Sequence, residues 1–101
     1  MAVASYSGVA TTKLRAWAAV ASQIGWKDAY AAALREMDDR LRTDPEAWGD
    51  PVKDYPALRL TVYHRYGPIL TVKYAVHIDG TPVFVQNVLL TPGTALHSAA
   101  K

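Results

Sequence analysis

The sequence predicts an α+β fold: a short N-terminal strand, then an αα-hairpin packed on an antiparallel β-meander, in the order β-α-α-β-β-β. Three observations carry this expectation. Apolar residues recur three and four apart from Thr11 to Arg42, which lines up one stripe on a helix. From Leu58 to Leu90 the pattern changes to runs rich in Val, Ile, Leu, Tyr and Thr, the composition of strands. Glycine and proline break the chain at Gly25, at Tyr66-Gly67-Pro68 and at Asp79-Gly80-Thr81-Pro82, so the links are short and neighbouring elements run antiparallel.

Val3–Tyr6 reads as the leading edge strand. The first helix spans about 11–24, with Leu14, Trp17, Ala21 and Ile24 on one stripe and Thr11 or Thr12 as its cap. Gly25 ends it, because glycine enters the left-handed region without a Cβ clash. The second helix follows at once and carries Trp26, Tyr30, Ala33, Leu34, Met37 and Leu41 on its apolar stripe. Trp17 and Trp26 fit these stripes and are expected in the core. Residues 43–57, punctuated by Pro45, Gly49, Pro51 and Pro56, read as a long loop pinned by Trp48 and Tyr55. Strands are expected at 58–65, 69–78 and 83–90. The last is apolar on both faces, as a covered strand or an interface strand would be. Residues 91–101 are small and polar and read as a flexible tail.

At 101 residues the chain is expected to form a single domain, 1–101. With 50% hydrophobic and 20% charged residues, it has globular rather than disordered composition. Cysteine is absent, which excludes disulfides and thiolate metal sites and fits a cytoplasmic location. No apolar run reaches the roughly 18 residues of a membrane span, and Met1–Ser7 has no signal-peptide pattern. The net charge of +2 divides into +3 over residues 1–35, −4 over 36–54 and +3 over 55–101. The acidic set Asp38, Asp39, Asp44 and Glu46 has no ligand spacing and reads as a solvated face. No Walker loop, dinucleotide fingerprint, zinc-protease motif or RNA-recognition aromatic motif is present.

Alternation gives the strands two faces. Leu58, Leu60, Val62, Leu70, Val72, Tyr74, Val76 and Ile78 are expected on an inward face, with His64 among them as a partly buried histidine. Arg59, Thr61, Tyr63, Arg65, Thr71, Lys73 and His77 are expected together on an outward face. That outward set has cations, a phenol and an imidazole and no carboxylate, which suits an anionic partner such as nucleic acid.

The element order resembles the RelE/ParE toxin superfamily over about residues 3–90. The likeness is carried by Ala31-Ala32-Ala33-Leu34-Arg35-Glu36-Met37-Asp38-Asp39-Arg40-Leu41 as the second helix. It continues through Asp44-Pro45 and Trp48-Gly49-Asp50-Pro51, then Leu58-Arg59-Leu60. It ends on Gly67-Pro68-Ile69-Leu70-Thr71-Val72-Lys73-Tyr74-Ala75-Val76. The resemblance implies the toxin of a type II toxin–antitoxin system, with a cognate antitoxin protein as partner. Its RelE-like members are ribosome-dependent mRNA endonucleases; its ParE-like members inhibit DNA gyrase. A non-catalytic binding module of the same fold is the third possibility. Where RelE-like chains often carry arginine before Val-x-Tyr, this one has Thr71, and Leu89, Leu90 and Thr91 stand where a late Arg and Tyr are usual. Metal-free RNA cleavage needs a group to activate the 2′-hydroxyl, one to protonate the leaving oxygen and cations to hold the phosphate. On the resemblance, Lys73, His77 and Tyr63 are the expected catalytic groups and Arg59, Arg65 and Lys73 the expected nucleic-acid contacts. Neither a metal nor a cofactor is implied.

Overall fold

The computed structural model describes residues 3–79 and 82–100; the glycine and threonine of the expected 79–82 turn lie outside these. The fold is α+β. Strand β1 (Val3–Tyr6) leads into helix α1 (Gly8–Gln23). Ser7, not Thr11 or Thr12, caps α1, its hydroxyl oxygen accepting from the Ala10 N–H at 3.0 Å. The helix therefore starts three residues before the expected bound, with a poor helix former, Gly8, in its first turn. It ends as expected at Gly25 (φ 78°), where the Trp26 N–H reaches back to the Ala21 carbonyl at 2.8 Å, a six-to-one closure that satisfies a terminal carbonyl. Helix α2 (Lys27–Thr43) then runs back along α1. The Tyr30 hydroxyl donates to the Leu14 carbonyl at 2.7 Å and ties the two helices together; burial pushes that phenol up to about 12.

The segment expected to be a loop is structured. Asp44 leads into a single helical turn, α3 (Pro45–Trp48), followed by strand β2 (Asp50–Tyr55), a 3₁₀ turn at Pro56–Leu58, and strands β3 (Leu60–Tyr66), β4 (Leu70–His77) and β5 (Pro82–Leu90). Pro45 sits at the first helical position, where its missing N–H costs nothing. Pro51 is tolerated because β2 is an edge strand. Residues 91–100 are not an extended tail: Thr94 caps a last short helix, α4 (Ala95–Ala99), and Leu96 is fully buried.

The sheet has five strands in the order β1-β5-β4-β3-β2. The run β2–β3–β4–β5 is an antiparallel meander, and β1 closes the other edge by pairing parallel to β5. One face of the sheet packs on the helices. Val72, Tyr74, Val76, Val83, Val85, Val88 and Leu90 meet Ala10, Ala21, Tyr30, Met37, Leu41 and Leu96 in one core. A bulge opposite Lys73/Tyr74 shifts the register of β5. It lets Val83 and Val85 before it and Val88 and Leu90 after it face the same way. Only one face of β5 is covered, and Phe84 and Leu89 on its other face are 43% and 49% exposed.

Register overturns the expected pairing of faces. Tyr66 pairs with Thr71, so the turn holds four residues, and every β3–β4 pair joins an even-numbered residue to an odd-numbered one. Tyr63 is opposite Tyr74 and Arg65 opposite Val72, on the helix side. His64 is opposite Lys73, on the outer side. The expected common face of Thr61, Tyr63, Arg65, Thr71, Lys73 and His77 is therefore split between the two sides of the sheet. Arg59 is not in a strand. It follows the 3₁₀ turn in the left-handed region (φ 55°), and its carbonyl accepts from the Ile78 N–H at 2.8 Å.

Tyr74 joins the layers. It is fully buried, and its hydroxyl donates to the Pro45 carbonyl at 2.5 Å. Its ring stacks on Tyr63 (5.5 Å between centroids) and tilts against Trp48 (5.8 Å). Gly49 passes so close that a Cβ there would stand 2.6 Å from the Tyr74 hydroxyl and 2.9 Å from the His64 carbonyl. A second tie holds β1: the Tyr6 hydroxyl donates to Asp38 Oδ1 at 2.9 Å, and Arg42 Nε donates to Asp38 Oδ2 at 2.9 Å. The Arg42 bond is the main cause of an Asp38 carboxyl held below its ordinary range.

Two stability measurements test these ties. Gly49→Ala should lower the unfolding free energy in urea by about 2 kcal/mol, because the clash is with backbone and a fixed phenol. Asp38 is ionised and paired in the folded state at neutral pH, so its contribution is full above the unfolded carboxyl value, about 4. It is lost as pH falls below that through the depressed folded value. Asp38→Asn should therefore flatten this part of the acid limb, and Tyr6→Phe should cost about 1 kcal/mol near neutral pH.

Candidate functional site

The outer face of the sheet carries chemistry that strand pairing assembles. Across four strands the register aligns Asp50 with His64, His64 with Lys73, and Lys73 with Asn87. Directly opposed side chains in such a ladder start about 5 Å apart at Cβ. His64 Nδ1 and the Tyr66 hydroxyl are hydrogen-bonded at 3.0 Å, with the two rings edge to face at 5.1 Å. With the phenol donating, Nδ1 is the acceptor and Nε2 carries the proton. Lys73 is exposed beside this pair, and Tyr66 is 71% exposed. At the far end of the row Lys13 Nζ donates to Asn87 Oδ1 at 3.3 Å. An imidazole, a phenol and an ammonium thus occupy adjoining positions on one surface.

The other expected site residues lie elsewhere. His77 shares the outer face but stands four residues along β4 from Lys73, about 13 Å away. One phosphate cannot bridge that span. His77 Nδ1 accepts from the Asp79 N–H at 3.3 Å and lies 3.2 Å from Asp79 Oδ1. Tyr63 is on the helix side; burial above all, then the carboxylates of Glu46 and Asp54, raises its phenol above the ordinary range. Arg65 lies over the Trp48 ring with its guanidinium carbon 5.6 Å from the centroid, and its Nε is buried without a partner. It braces α3 against β3. Arg59 is exposed near the end of β3. Of the expected groups, Lys73 alone stands in the cluster. His64 and Tyr66 complete it; the sequence reading set His64 inward and left Tyr66 in the turn after the strand. The four residues between the paired Tyr66 and Thr71 set the register that places them outward.

Chemically, an imidazole can take or give a proton. An exposed ammonium holds phosphate, and an exposed phenol offers a ring to stack on and a hydroxyl to donate. Thr71, where the resembled family often has arginine, is 8% exposed; its hydroxyl bonds that of Thr91 at 3.0 Å. Among the described residues no cluster of His, Asp or Glu is arranged to hold a metal ion, and no helix is long and apolar enough to cross a membrane.

The contrast between exposed Lys73 and packed Tyr63 is measurable in the melt. Lys73→Ala should leave stability within about 0.5 kcal/mol of the parent, whereas Tyr63→Ala, which removes the ring stacked on Tyr74, should cost about 3 kcal/mol. Comparison with protein-family models, with curated proteins and with solved structures gives no match.

Proposed function

We propose that this chain is a toxin of the RelE/ParE kind that cuts mRNA on the ribosome, working from the outer face of its sheet. The observation that carries the proposal is the cluster of His64, Tyr66 and Lys73 on that face. In this reading Lys73 holds the scissile phosphate, His64 moves the proton at the 2′-hydroxyl or the leaving oxygen, and Tyr66 orients His64. These roles replace the expected trio of Lys73, His77 and Tyr63, whose members do not meet. A cognate antitoxin is the partner this reading requires. The groove of about 350 Å³ between α1 and α2, lined by Tyr6, Leu14, Ala18, Leu34 and Met37, is the apolar surface offered to it. Action on the ribosome places the protein in the cytoplasm.

One observation favours a second reading, in which the face grips a protein such as DNA gyrase without cutting. Val3, Phe84 and Leu89 on the outer face are 57%, 43% and 49% exposed, an apolar share that protein interfaces use. Induced expression without an antitoxin distinguishes the two. The first reading expects growth arrest with new mRNA 5′ ends, and a drop of about 100-fold in cleavage for His64→Ala or Lys73→Ala. Arrest with intact mRNA and altered supercoiling would establish the second in its place.

A further inference from the structure

A pocket of about 430 Å³ lies at the end of the sheet beyond the His64–Lys73 row, between the outward Tyr66, Thr71 and Leu89 and the helices α1 and α4. Its floor is the neighbouring row of the ladder, in which Tyr66, Thr71 and Leu89 are paired across β3, β4 and β5. Its walls include Trp17 from α1, Thr91 after β5 and His97 from α4. Two aromatic rings and an imidazole around a largely apolar hollow, with few polar groups, are the makings of a small planar-ring site. The pocket shares Tyr66 with the proposed phosphate-holding cluster, which makes the two neighbours on the surface.

Hydroxyl bookkeeping determines what the floor offers. Thr91 Oγ1 lies 2.7 Å from the Gly67 carbonyl, which can only accept, so the Thr91 proton is committed there. The 3.0 Å contact between Thr71 Oγ1 and Thr91 Oγ1 then requires Thr71 to be the donor. With its single proton spent, Thr71 Oγ1 presents lone pairs alone to the pocket. A buried acceptor of this kind favours a ring that brings an N–H₂ donor and disfavours one that brings a carbonyl, because an acceptor facing an acceptor leaves both unpaired.

We propose that this pocket receives a nucleobase of the bound RNA and favours one with an exocyclic amino group, such as adenine, by donation to Thr71 Oγ1. Trp17 and Tyr66 supply the apolar and stacking surface. The inference rests on the RNA reading above, and the experiment separates the two.

Binding of fluorescein-labelled RNA hexamers is measured by anisotropy at one fixed salt concentration, for A₆, U₆ and I₆, inosine differing from adenosine by a 6-oxo in place of the 6-amino group. The wild-type protein should bind A₆ about fivefold more tightly than U₆ or I₆, the scale of one net hydrogen bond. Thr71→Val should bring these ratios close to one, and Thr71→Ser, which keeps the hydroxyl, should preserve them. Lys73→Ala should weaken all three hexamers by the same factor, as a phosphate contact does. Equal wild-type affinity for A₆ and I₆ overturns the pocket assignment without any variant, and so does an unchanged ratio in folded Thr71→Val. If no hexamer binds the wild type, the RNA reading falls together with the pocket.

Discussion

The buried hydroxyl of Tyr74 is the constraint on which the arrangement of both faces depends. A phenol placed in a core must find an acceptor, since an unpaired buried polar group costs more than the bond itself is worth. The acceptor here is the carbonyl of Pro45, so α3 must sit over the helix side of β4. That placement brings Trp48 against Tyr74, stacks Arg65 over Trp48, and requires a glycine at 49 where the chain turns into β2. Tyr63 stacks beneath. The aromatic and cationic residues of β3 at odd positions are thus consumed by packing, and those at even positions are left to the outer face.

Much of this architecture was legible in the chain. The helix stripes through Ala21, Tyr30, Met37 and Leu41, the stop at Gly25 and the three meander strands follow from periodicity and turn chemistry. The β2 strand was hidden because Pro51, Lys53 and Asp54 are poor strand formers and the segment is exposed throughout; it is held by pairing to β3, a long-range effect that local propensity does not carry. Helix α4 was hidden for a similar reason: Leu96 is one apolar residue in a polar run, and its burial is decided by the body it docks on. The candidate site was half legible. Lys73 stood out as a mid-strand lysine, but the side on which His64 falls depends on register, and a slip of one residue exchanges every side chain between faces.

Charge is mixed on both sides of this division. The acidic run in the middle of the sequence becomes, in part, the exposed surface of α2, where Glu36 and Asp39 stand in solvent and Asp38 pairs with Arg42. The outer face opposite carries Lys73 with two histidines and hydroxyl groups. Those acids are balanced within α2 by Lys27, Arg35, Arg40 and Arg42, so the helix layer is not a repelling face, and what distinguishes the outer side is which groups its register brings together.

The parallel pairing of β1 with β5 has a consequence for how the sheet closes. Residues 3–6 find their partners at 82–85, so the first strand cannot be paired before nearly the whole domain exists. On a ribosome, where synthesis runs from the N-terminus, the helices and the β2–β3–β4 ladder can form from neighbouring segments while β1 waits with an unsatisfied edge. Closing a loop of that length comes at an entropic cost that local hairpins do not meet. The pocket at the end of the sheet, which needs Leu89, Thr91 and His97 as well as the earlier strands, is therefore among the last features of the chain to come into being.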